Sequence, residues 1–164
     1  KMTFGDQVSE QTIKVEFDPR MTYSKTDLST RYQVSKQLEK NSETIAKVVQ
    51  QLVESQNIVK EVTSKLNKAD KKKYASQLKT AKSVGKKIDK LINGYLGTID
   101  KRQGITRNPE VTVNQRLSSA RRYVSARFGK ITKTETELIN NFKDALKEAL
   151  NEANNFFTNT FCCF

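Results

Sequence analysis

The sequence predicts a mainly α protein, with a short antiparallel β element followed by an elongated up-down-up-down helical bundle. Three observations predict it. Between Leu28 and Leu66 apolar residues return every three or four positions, at Leu28, Tyr32, Leu38, Ile45, Val49, Leu52, Val59 and Leu66. That average lies near the 3.5 that lays one helix lengthwise against others. At about 1.5 Å per residue the run makes a rod of roughly 60 Å, too long to be the buried centre of a compact domain. Finally, the 164 residues include no Trp, 2 Pro and 6 Gly, with 35% hydrophobic residues and a mean hydropathy of -0.70. Such values suit a bundle whose outer faces are all solvated.

Residues 1–20 are expected to form the last strands of a β-sandwich and a linker. Ile13, Val15 and Phe17 alternate with Lys14 and Glu16, the period of two that marks a half-buried strand. Gly5-Asp6 is a turn signal, so Met2 to Phe4 reads as the other arm of a hairpin. Asp18-Pro19-Arg20 ends the pairing, because Pro19 donates no backbone hydrogen and holds its predecessor extended. Lys1-Met2-Thr3 opening on a strand-like segment is expected to continue something longer, a fragment or a processed product.

Residues 21–160 should form a four-helix bundle, with helices at about 25–66, 71–100, 109–128 and 133–160, and 161–164 a tail. Ser24 and Asp27 supply caps for the first helix. Asn67-Lys-Ala-Asp70 is a short polar turn that makes the second helix antiparallel, with Asp70 as its cap. Tyr74, Leu78, Ala81, Val84, Ile88, Leu91 and Tyr95 form its stripe, and it should fray between Gly94 and Lys101. Asn108-Pro109-Glu110 starts the third helix, which carries Val113, Leu117, Ala120, Val124 and Phe128 inward and closes at Gly129. Thr132 with Glu135, and Thr134 with Glu137, are overlapping capping boxes for the fourth. Its buried stripe is Leu138, Phe142, Ala145, Ala149, Phe156 and Thr160. Leu52, Val59, Leu78, Ile88, Leu117, Val124, Phe142 and Phe156 are the core residues expected to matter most.

Lys+Arg of 30 against Asp+Glu of 18 gives a net charge of +12. Residues 1–20 carry Lys1, Lys14 and Arg20 against Asp6, Glu10, Glu16 and Asp18, a net of -1, so the remainder holds +13. No stretch has the apolar length of a membrane span, and no signal peptide is evident. His is absent, which removes the commonest general base and metal ligand and the Glu-x-x-His motifs of di-metal bundles. Cys162 and Cys163 are adjacent and fit neither a zinc nor a redox spacing. Asp144 and Glu148 stand one turn apart between Lys143 and Lys147, so surface ion pairing explains them better than a glycosidase pair, which needs opposed carboxylates in a cleft. Lysines 71–73 and 86–87 and Arg121-Arg122 lie among Tyr74, Tyr95 and Tyr123. These tyrosines fall on or beside seam positions, so core packing under a solvated basic surface is preferred to nucleic-acid binding. No catalytic, cofactor-binding or metal-binding residue and no cofactor is assigned within this segment.

The order Asp18-Pro19-Arg20, Ser24, Asp27-Leu28, a long helix, then Asn108-Pro109 leading into Asn114 and Arg116-Leu117 resembles the C-terminal end of bacterial sortilin-like β-propeller proteins. That neuraminidase-repeat group is often labelled glycosyl hydrolases. The sequence departs from the pattern in its Lys content, in Gly104-Ile105-Thr106 and in its Cys-containing end. The resemblance implies propellers and a small β-sandwich upstream, with any active residues there, and export to the periplasm or outer cell surface. It also implies an accessory role here, as a scaffold or protein-protein contact surface for the parent's propellers or another envelope protein. The alternative is a basic helical bundle that binds an acidic polymer, nucleic acid or a membrane surface, with no specific nucleic acid expected.

Overall fold

The computed structural model describes residues 1–16, 18–70, 72–98 and 111–161. It is mainly α with a short antiparallel β element, as expected. Strands β1 (Met2–Phe4) and β2 (Gln7–Ser9) pair antiparallel, with Thr3 opposite Val8. Gly5 has φ 57 and, among the described residues, no non-glycine residue has positive φ, the pattern of a two-residue turn with glycine first.

The strand expected over residues 12–17 does not form. Residues 11–16 carry no secondary structure, and Phe17 lies outside the described residues. Alternation prepares a segment for a sheet but supplies no partner, and a two-stranded hairpin is marginal alone. Ile13 and Val15 are therefore exposed, Val15 at 91%.

Helix α1 (Lys25–Lys68) has 44 residues and spans about 66 Å. The Ser24 hydroxyl accepts from the Asp27 amide at 3.0 Å and donates to the Asp27 carboxylate at 2.6 Å. Lys65 and Lys68 complement the negative end of the helix dipole. Helix α2 (Ala75–Leu96) starts later than expected, because the Asp70 carboxylate accepts the Lys72 and Lys73 amides in a turn that precedes it. It contains Gly94 without fraying there and stops at Gly97, whose φ of 88 is costly for other residues.

Helix α3 (Val113–Ser125) is shorter than expected. Thr112 and Gln115 form its capping box, while Asn108, Pro109 and Glu110 lie outside the described residues. Its end falls before Gly129, and Phe128, expected inward, is exposed beside Tyr23 with ring centroids 6.2 Å apart. Gly129 has φ 89, and a Cβ there would lie 2.8 Å from the Tyr23 ring. This glycine shapes the turn into helix α4 (Lys133–Phe156). Thr132 and Glu135 form the α4 capping box, which places Thr134 inside the first turn, so the second expected box is not made. A π-helical turn, Phe157–Phe161, continues the chain and gathers the rings of Phe156, Phe157 and Phe161.

The helix directions depart from strict alternation. Gln56 donates to Asp89, and a Cβ on Gly85 would sit 3.5 Å from Val59, so α2 runs antiparallel to the second half of α1. Arg31, near the start of α1, meets the Val124 carbonyl at the end of α3, so α3 runs antiparallel to the first half. Glu135, at the start of α4, also meets Arg31, while Phe161 shares a groove with Leu66, so α4 runs parallel to α1. The order is up, down, down, up. Neither the 22 residues of α2 nor the 13 of α3 can accompany a 44-residue partner alone. In tandem they form one leg, and a Cβ on Gly97 would come 3.3 Å from Thr112 where they meet.

One apolar cluster runs through the bundle at seven-residue intervals. Leu38, Ile45, Leu52 and Val59 repeat on α1, Ala81, Ile88 and Tyr95 on α2, and Ile139, Leu146 and Ala153 on α4. Of the residues expected to matter most, all but Leu78 are buried, and Leu78 is half-buried. Tyr32, expected on the seam, is exposed, and Ala145, Ala149 and Thr160 are only half-buried.

Candidate functional site

The sequence singles out no catalytic residue, and its chemical candidates stay apart. Asp144 and Glu148 are exposed on α4 and, among the described residues, form no ion pair, so the surface pairing expected for them is not made. Tyr95 is buried, Tyr74 half-buried and Tyr123 exposed under the Arg122 guanidinium. Among the described residues no three His, Cys, Asp or Glu side chains could hold a metal ion. Cys162 and Cys163 lie outside the described residues. Among the described residues no helix is long and apolar enough to cross a membrane.

The most connected polar centre is one the sequence reading missed. Arg31 is 6% exposed and Glu135 1%. Arg31 Nε donates to the Gly129 carbonyl at 3.0 Å, and Nη1 to the Val124 carbonyl at 2.6 Å and Glu135 Oε1 at 3.0 Å. Nη2 donates to the Lys130 carbonyl and Glu135 Oε2, each at 3.2 Å. All five guanidinium donors are thus engaged. Glu135 Oε2 also accepts from the Thr132 amide at 2.7 Å and hydroxyl at 2.9 Å. Burial works against the Glu135 charge, but donation from Arg31 and then from Thr132, with the Arg31 charge, outweighs it and holds the carboxyl down to about 2. With all five of its donors engaged, Arg31 locks the start of α1 to the α3–α4 turn.

A signal for the pair was present. Arg31 stands seven residues before Leu38, in the same register as Ile45, Leu52 and Val59. A charged residue in that register calls for a buried partner.

The Tyr95 hydroxyl is buried with no hydrogen-bond partner. Burial, and then the negative charge of Glu152, push the phenol up to about 12. It stays protonated at neutral pH and has no base within hydrogen-bond reach.

The open surface lies at the N-terminal segment. Phe4 is 90% exposed, and Met2, Val8, Ile13 and Val15 are exposed with it. Beyond it, Asp18 and Arg20 close a hydrogen-bonded turn. The Asp18 carbonyl accepts from the Met21 amide at 2.9 Å, and its carboxylate takes the Arg20 amide at 2.9 Å and the guanidinium at 2.6 Å. The Arg20 side chain, then its amide, holds the Asp18 carboxyl below the ordinary carboxylate range. The segment therefore meets the bundle through an exposed turn held by local bonds. No family model, curated protein or solved structure matches this chain.

Proposed function

We propose that this chain is a non-catalytic interaction module, the C-terminal accessory region of a larger exported β-propeller protein of the sortilin-like kind. In this reading the bundle is the self-sufficient part and serves as a scaffold. The N-terminal segment is a strand in waiting, received by a sheet of the parent protein or of another envelope protein at the periplasmic or outer surface.

The exposure of Met2, Phe4, Val8, Ile13 and Val15 carries this reading. Fully burying one large apolar side chain is worth about 1.5–3 kcal/mol, so these side chains offer a partner sheet a substantial driving force. An unpaired edge adds backbone donors and acceptors that a neighbouring strand would satisfy.

A photoreactive amino acid placed at Ile13 tests the docking, with irradiation of intact envelopes and sequencing of the crosslinked peptide. The expected product joins position 13 to a strand of a propeller-bearing protein. Crosslinks only to a second copy of this chain, or none, would refute the docking. The non-catalytic part is tested with glycans, peptides and phosphoesters, where no turnover is expected. Turnover abolished by one side-chain change would overturn it.

A further inference from the structure

The positive charge gathers at one end of the rod. Residues 60–90 contain eleven lysines and no arginine, against Glu61, Asp70 and Asp89, a net of +8. Residues 1–59 are neutral overall. The lysines fall in the last turns of α1, in the connection, and along most of α2, so the helical hairpin presents them around the tip.

The tip's acids are already committed. Glu61 pairs with Lys65 at 2.6 Å, Asp70 accepts two backbone amides, and Asp89 accepts the Gln56 amide. Among the described residues Lys65 is the tip's one lysine in an ion pair. Like charges this close repel one another and oppose the hairpin that assembles them. An anionic partner would relieve that repulsion.

From this arrangement we infer that the α1–α2 tip docks on an anionic lipid surface. Lysine is a compact, hydrated point charge without arginine's planar fork, so a lysine cluster supplies diffuse attraction more than paired, geometry-specific bonds. Among the described residues between 60 and 90 no large apolar side chain is exposed, and the tip's tyrosine, Tyr74, is half-buried with the Lys73 ammonium over its ring, which leaves little free aromatic face on which single-stranded bases could stack. The tip also lacks the apolar wedge of an inserting helix. What remains is the end of a helical hairpin rich in exposed lysines, which suits a plane of anionic headgroups. Binding of this kind is reversible and falls steeply with salt. It does not depend on the N-terminal segment's docking, and either reading can fail without the other.

The test is sedimentation of the full chain with vesicles of phosphatidylcholine alone and of phosphatidylcholine mixed with phosphatidylglycerol. The chain should bind only the mixed vesicles, and added sodium chloride should release it. Replacing Lys72, Lys73, Lys82 and Lys86 by Gln should weaken binding by about tenfold or more. Replacing Lys40, Lys47, Lys143 and Lys147 by Gln removes equal charge from the rest of the rod and should change it by less than about threefold. All eight positions are exposed, and circular dichroism should show both variants equally helical. Equal losses in the two variants would assign binding to net charge alone and overturn the inference. So would failure of the unaltered chain to bind mixed vesicles at low salt, or tighter tip-dependent binding to a DNA oligonucleotide.

Discussion

The first sixteen residues and the bundle both space their apolar residues regularly, at a period of two in one and of seven in the other, with opposite outcomes. In the bundle Leu38, Ile45, Leu52 and Val59 join one buried cluster with residues of α2, α3 and α4. In the N-terminal segment Ile13 and Val15 alternate as cleanly and remain in solvent. Periodicity fixes which face is apolar, but burial also needs a second surface, and only the bundle carries one within its own helices. The same difference separates the charges. Arg31 is buried because Glu135 and three carbonyls meet it, whereas Lys14 and Glu16 pair on an exposed segment, where such pairs contribute little.

The sharpest way to break this contrast is Leu52→Asp, which places a carboxylate where the side chain has no exposure. It should destabilise the bundle by on the order of 5 kcal/mol, and a loss under about 1 kcal/mol in urea titration would show the seam to be loose. Arg31→Ala comes next, at about 3–5 kcal/mol, because it strands the buried Glu135 charge. Combining Arg31→Met with Glu135→Leu should recover part of that loss. The Val124, Gly129 and Lys130 carbonyls would still lack their donor and the Thr132 amide its Glu135 acceptor, so recovery should be incomplete. No recovery at all would place the loss in those carbonyl and capping bonds and not in the stranded charge.

Titration sharpens the same point. Glu135 has a folded pKa near 2, below its ordinary 4.5, so its contribution is fully present above about pH 4.5 and is lost as pH falls toward 2. By linkage that is about 3 kcal/mol. Urea unfolding at a series of pH values should show this fall in the unaltered chain and a flatter profile in the Arg31→Met, Glu135→Leu variant. The smallest effect is expected from Ile13→Ser with Val15→Ser, which should change stability by less than about 0.5 kcal/mol. A larger loss by thermal unfolding would mean that these side chains are covered.

Much of the bundle was legible in the sequence because helix ends carry local chemistry. Ser24, and Thr132 with Glu135, cap where their spacing predicts, and α1 exceeds its expected end by two residues. The tandem arrangement of α2 and α3 was hidden because a short turn specifies antiparallel neighbours but says nothing about the leg after a long connection. A spacing of four puts Tyr32 on the seam, whereas the structure keeps sevens and places Arg31 there. Phe128 misled for a related reason, since α3 ends at Ser125 and the stripe does not continue into the turn. Of the candidate site, the apolar residues of the N-terminal segment were visible and their lack of a partner was not, because strand pairing is non-local.

The central claim, a self-sufficient bundle joined to a segment that waits for a sheet, is tested most directly by native-state hydrogen exchange on the isolated monomer. Amides of residues 2–16 should exchange close to unstructured rates, while those around Leu38, Ile45, Leu52 and Val59 should exchange only through global unfolding. Slow exchange at Ile13 and Val15 in the monomer, with nothing added, would contradict it.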